Sequence, residues 1–212
     1  MSIYLYGLQR SGTNVINTFL VNNFNIKFNN DDNNRNSIIH KHFRIYNNKN
    51  NIPETDKPKQ YYNNIIINTL EELDEKINKK KNKYIIVYKN IYSWLPSIEK
   101  WGKMCNWKSN NKLNFINDYC EYISKWKEIS NKRVLFIKYE DYLDCLVNKN
   151  NILIKRTEDF LQIKRPNKII FPQNVNCSST FTLKKYNYYK NKEYMKEYTK
   201  EELNIINNKY NL

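Results

Sequence analysis

Two of the chain's three glycines stand five residues apart, at Gly7 and Gly12, and no other feature of the 212 residues constrains the fold as much. The residues before them, Ile3-Tyr4-Leu5-Tyr6, form a short β-rich run that Gly7 ends. After Thr13 the apolar residues fall at Val15, Ile16, Phe19 and Leu20, which is helical spacing. A strand, a glycine turn and a helix open a nucleotide-binding α/β unit. Glycine lets the backbone fold tightly enough for successive N–H groups to face one anion, and the following helix adds its positive N-terminus. In a chain this poor in glycine, P-loop spacing points to conformational need.

Downstream, strands and helices alternate. Tyr84-Ile85-Ile86-Val87-Tyr88 is the clearest central strand, and a helix from Ser93 to Lys103 follows it. Leu113 to Ser130 reads as a longer helix, Arg133 to Ile137 as another buried strand, and 152–163 and 193–210 as helical. Leu70 to Lys80 is an amphipathic helix with acids early and lysines late, which suits the helix dipole. Ile38 to Phe43 reads as a short strand running into a loop, and Ile65 to Ile67 as a further buried strand. The polar stretches 29–36, 46–60 and 166–182 read as irregular. No repeat or Gly/Ser linker interrupts this order. The expectation is one α/β domain over 1–212: a P-loop-like three-layer fold whose central, mostly parallel sheet is flanked by helices.

No long apolar run and no export-type segment is present, so the expectation is a soluble, intracellular, cytoplasmic protein without a membrane span. Cys105, Cys120, Cys145 and Cys177 lie far apart, which argues against a disulfide framework or zinc ribbon and for free buried thiols. The formal charge of +15 favours polyanions: nucleic acid, a phosphorylated or sulfated substrate, or a membrane surface. Yet the chain holds no alanine and is crowded with Asn, Lys, Ile and Tyr, the mark of A/T-rich coding. Lysines written by codon bias onto solvated faces are one source of that charge and a polyanionic partner is the other, so charge alone does not argue nucleic-acid binding.

A Walker-type loop places Lys and then Ser or Thr after its second glycine, to hold phosphates and Mg²⁺. Here those places hold Thr13 and Asn14, and the basic residue, Arg10, sits inside the loop. That argues against ordinary ATP or GTP hydrolysis and suits a phosphate held without a metal. A P-loop kinase or NTPase-like protein stays as one alternative, testable with a chelator. A basic nucleic-acid-binding protein is another, using the stripe Lys184-Lys185-Tyr186-Asn187-Tyr188-Tyr189-Lys190. On Ser11, Thr13 and Asn14 the bland reading is N-capping of the first helix, which is compatible with anion binding.

Gln9-Arg10-Ser11-Gly12-Thr13 resembles the 5′-phosphosulfate loop of sulfotransferases that use 3′-phosphoadenosine 5′-phosphosulfate (PAPS). Family members also place a basic residue at the end of a central strand and a Ser eight residues on, where the two hold the 3′-phosphate. Lys89 and Ser97 repeat that layout, with Lys in place of the usual Arg. Lys41-His42-Phe43 resembles the segment that carries the catalytic base; His42 fits the place, and His40 beside it stays open. Phe136 to Leu143 is similar to a strand and Tyr-Glu-Asp-Leu corner of the same fold. The family's C-terminal basic lid has its nearest counterpart in Lys184 and Lys185. The resemblance implies metal-independent, in-line transfer of a sulfuryl group from PAPS to an acceptor hydroxyl or amine, with 3′-phosphoadenosine 5′-phosphate (PAP) as product. It implies catalytic roles for Arg10 and His42. Nucleotide contacts would come from Gln9, Arg10, Ser11, Gly12, Thr13, Asn14, Lys89, Ser97, Lys184 and Lys185, with no metal. The acceptor is a small molecule, glycan or protein.

Overall fold

The computed structural model describes residues 2–30, 37–46, 65–79, 81–107, 111–164, 167–172 and 182–210. Among these, three strands form one parallel sheet in the order β1-β2-β3: β1 (Ile3–Gly7), β2 (Lys83–Tyr88) and β3 (Val134–Lys138). The helices are α1 (Thr13–Phe24), α2 (Leu70–Lys76), α3 (Ile91–Met104), α4 (Lys112–Ile129), α5 (Tyr139–Asn148), α6 (Ile152–Leu161), α7 (Leu183–Lys190) and α8 (Lys200–Lys209). A 3-10 turn, Glu193–Glu197, precedes α8.

The period-2 alternation of the strands decides which helices lie on which face. Tyr4, Tyr6, Tyr84 and Ile86 point to one side, where they meet Leu70 and Leu73 of α2, Trp94 of α3, Trp126 of α4 and Ile206 of α8. Leu5, Ile85, Val87, Leu135 and Ile137 point to the other, against Phe19 of α1, Leu143 of α5, Leu153 of α6 and Tyr186 of α7. Both faces are covered, which is why β2 is buried along its centre and reads as a continuous apolar run. The architecture is α/β, a small parallel sheet between two helical layers.

Two expected strands do not form. Residues 37–42 are turns, because their backbone bonds close locally: His40 N–H donates to the Ser37 carbonyl (3.0 Å) and Phe43 N–H to that of His40 (2.9 Å). The outer edge of β1 is instead covered by a parallel bridge from Ile3 to Phe28, and by the Asn30 side chain, which accepts from Leu5 N–H at 2.6 Å. Ile65 to Ile67 is also not a strand. Ile65 and Ile66 are exposed, and only Ile67 is buried, donating its N–H to the Ile45 carbonyl. Of the expected buried thiols, Cys145 is buried, Cys120 half-buried and Cys105 exposed. Cys177, most of 46–60 and of 166–182, and residues 31–36 lie outside the described residues. Among the described residues, no helix is long and apolar enough to cross a membrane.

The register places the functional chemistry. Gly7 pairs with Val87, Val87 with Ile137, and Tyr88 with Lys138. The residues that leave the strands next, the Leu8-to-Gly12 loop, Lys89 and Tyr139, therefore emerge together at the carboxyl edge of the sheet. That edge is where open α/β sheets bind ligands.

Candidate functional site: a cluster of cations at the sheet edge

The loop after β1 requires its glycines. A Cβ on Gly7 would lie 2.6 Å from the Val87 carbonyl oxygen and 2.5 Å from Thr13 Cγ2. Gly12 has φ 92° and caps α1, and a Cβ there would lie 2.5 Å from the Tyr139 ring. Arg10 is also left-handed, at φ 67°, and Ser11 between them is not. The Ser11 N–H closes back on the Leu8 carbonyl at 3.2 Å, so the loop is a tight turn. No side chain caps the start of α1, so the N-capping expected of Ser11, Thr13 and Asn14 is not what these residues do. Ser11 Oγ donates instead to the Leu8 carbonyl, Thr13 is buried, and Asn14 Oδ1 accepts from Lys41 Nζ at 2.7 Å. The positive end of the α1 dipole lies at this turn. Gln9 faces inward: its carbonyl accepts from Trp94 Nε1 (2.8 Å) and its Oε1 from Arg44 (2.8 Å).

Three cations surround this loop. Arg10 is exposed; its Nε donates to Ser97 Oγ on α3 at 3.4 Å, and its guanidinium lies 5.1 Å from the Trp101 ring centroid. Lys89 is buried. Its ammonium lies 4.7 Å from the centre of the Tyr139 ring and donates to the Tyr189 hydroxyl at 3.1 Å. Lys185 of α7 lies 5.8 Å from the same Tyr139 ring. Burial pushes Lys89 down to about 7; Glu140 works against that shift, and the charges of Lys185 and Arg10 add to it. Burial and the charge of Arg10 also lower Lys185. Like charges held this close repel each other, and a polyanion would relieve that repulsion. Lys184, one residue away on α7, is exposed.

The histidine turn is tied to the strand end from both sides. Gly7 N–H donates to the Lys41 carbonyl (3.0 Å), and His42 Nδ1 lies 2.6 Å from the Gly7 carbonyl oxygen. A carbonyl only accepts, so Nδ1 carries the proton and Nε2 presents its lone pair. Burial is the main cause of a His42 pKa well below the ordinary value, with Lys41, His40 and Arg44 adding to it; the bond to Gly7 opposes it. His40 beside it is buried, and its Nδ1 accepts the His42 N–H at 3.2 Å.

The structure thus brings Gln9, Arg10, Ser11, Gly12, Thr13, Asn14, His42, Lys89, Ser97 and Lys185 to one sheet edge, and leaves Lys184 out. Sequence reasoning missed Tyr139, Tyr189 and Arg44. Tyr139 was findable as the residue leaving β3 where Lys89 leaves β2. Tyr189 stands four residues after Lys185, on the same helical face. Arg44 was findable by rarity, since arginine makes only six of the 36 basic residues. Comparison with protein-family profiles, with curated proteins and with solved structures finds no match to this chain.

Proposed function

We propose that the chain is a sulfotransferase of P-loop-like fold, moving a sulfuryl group from PAPS to an acceptor hydroxyl or amine. The observation that carries this reading is the meeting of Arg10, Lys89 and Lys185 beside the uncapped start of α1. A single 5′-phosphate would engage the loop alone. A ligand with phosphate charge at two positions would engage the loop and the Lys89 corner together, and so relieve the repulsion among all three cations.

The roles follow from the contacts. The loop N–H groups and Arg10 hold the 5′-phosphate and stabilise charge as it leaves, a preorganised electrostatic contribution. Ser97 orients Arg10 and would add a hydroxyl to the nucleotide site. Lys89 and Lys185 neutralise the 3′-phosphate, with Tyr139 as the ring on which both rest. His42 Nε2 accepts the acceptor's proton, and its low pKa keeps it unprotonated at neutral pH. Protein cations carry the neutralisation, so no metal is required.

The test is transfer of radiosulfur from labelled PAPS to panels of hydroxyl and amine acceptors in EDTA. Transfer that persists in the chelator is the expected result. Phosphate transfer from ATP that EDTA abolishes would replace this reading with the kinase one.

A further inference from the structure

We propose that Arg44 is a positioning residue that locks the phosphate loop and the histidine turn into one rigid unit. Arg44 is 3% exposed and places its donors on three separate parts of the chain. Nε and Nη2 grip the Asp118 carboxylate of α4 at 3.1 and 2.7 Å. Nη2 also donates to Gln9 Oε1 at 2.8 Å, and Nη1 to the His42 carbonyl at 2.9 Å. Tyr46 closes the cluster, its hydroxyl set between the Asp118 carbonyl oxygen (2.8 Å) and the Asp118 carboxylate, either of which can accept its one proton. Burial works against the Arg44 charge, and Asp118 more than offsets it, so the guanidinium stays charged.

The geometry is more than an ion pair needs. Asp118 alone would neutralise the charge, but the remaining donors reach the two segments that the reaction must hold in register. Gln9 precedes Arg10, and its carbonyl is pinned separately by Trp94. His42 is pinned by Gly7 through its ring and by Arg44 through its carbonyl. A planar fork can serve all these acceptors at once, which the single ammonium of lysine cannot. Misplacing a reacting group by about 1 Å costs on the order of 10²-fold in rate, so such a lock acts on turnover rather than on nucleotide affinity. The turnover arm of this inference rests on the sulfotransferase reading; the ring geometry does not.

The test uses the full chain with two substitutions. Arg44→Met combined with Asp118→Leu removes both charges and fills their volume, a replacement that buried ion pairs commonly tolerate. Arg44→Lys keeps the charge and loses the fork, and serves if the double variant does not fold. Nitrogen NMR of the two histidine rings reads the His42 tautomer without any ligand. The expected result is a fixed Nδ1–H tautomer in the unaltered protein, averaged ring-nitrogen shifts in the folded variants, PAP affinity within about threefold, and kcat lower by on the order of 10²-fold. A folded variant that keeps the tautomer overturns the proposal and leaves Arg44 a structural ion pair only. If the unaltered protein binds no PAP, the nucleotide reading falls, and the tautomer still decides the role of Arg44.

Discussion

The ammonium of Lys89 lies 4.7 Å from the centre of the Tyr139 ring, and the same ring closes against Gly12 on the glycine loop. One aromatic surface thus joins the exits of all three strands. A side chain at Gly12 would strike it, and a ligand on the loop would lie beside the charge resting on it. The cradle is one packed object, so disturbing the loop disturbs the lysine corner.

Gly12→Ala tests that coupling. An alanine at φ 92° costs at least about 1–2 kcal/mol for left-handed backbone alone, and its Cβ meets the Tyr139 ring. Chemical denaturation should register a loss of at least that size, and calorimetry a loss of nucleotide binding. An unchanged midpoint with unchanged binding would show that the loop is not packed as described.

Lys89 sets a pH dependence of stability. Its folded pKa of about 7 lies below the ordinary 10.5 of an unfolded lysine. Between those values the unfolded chain holds a proton that the folded chain has lost, so stability rises with pH across this window. Denaturation from pH 7 to 9.5 should show that rise in the unaltered protein and a flatter profile in Lys89→Met. Parallel profiles would remove the buried, depressed lysine.

His42 gives the opposite end of the scale. Its pKa is held well below 6.5 by burial and by neighbouring cations. The acid limb of the kcat profile should therefore fall below pH 6.5, and His42→Ala should abolish turnover with the fold intact. An acid limb at or above 6.5 would assign the proton transfer to another group.

Lys184 and Lys185 separate what the structure adds from what the sequence suggests. Lys185→Ala should weaken PAP binding roughly tenfold or more, since a charge-assisted contact is worth about 1.5–3 kcal/mol. Lys184→Ala should leave it nearly unchanged, because that side chain is exposed. Equal effects in a calorimetric comparison would mean that general charge, not position, attracts the ligand.

The legible part of this fold was local. β1, the glycine loop and α1 announce themselves because spacing and φ requirements act within a few residues. β2 announces itself because both its faces are covered. The apolar runs at 38–43 and 65–67 misled for a related reason: three isoleucines satisfy a strand pattern, but β1's outer edge was already taken by Phe28 and Asn30. Pairing is a tertiary fact that a run of residues does not carry. Position also decided the lysines. In a chain rich in Lys, charge alone marks little; Lys89 stood out by its place after β2, and the register that sets it beside Tyr139 is what the structure adds. Arginine carried more signal. Arg44, Arg133 and Arg156 all fork onto named partners, Arg133 bridging Glu71 and Asp74, and Arg156 reaching Asp141 and the Phe136 carbonyl.

The proposed function requires one ligand to bridge the loop and the Lys89 corner through two phosphates. Calorimetry in EDTA compares PAP with AMP on the unaltered protein and on Lys89→Ala. Metal-free binding of PAP, weaker binding of AMP, and a Lys89→Ala variant that no longer distinguishes the two are the expected results. PAP and AMP binding equally to the unaltered protein, or a variant that keeps the full preference for PAP, would contradict it.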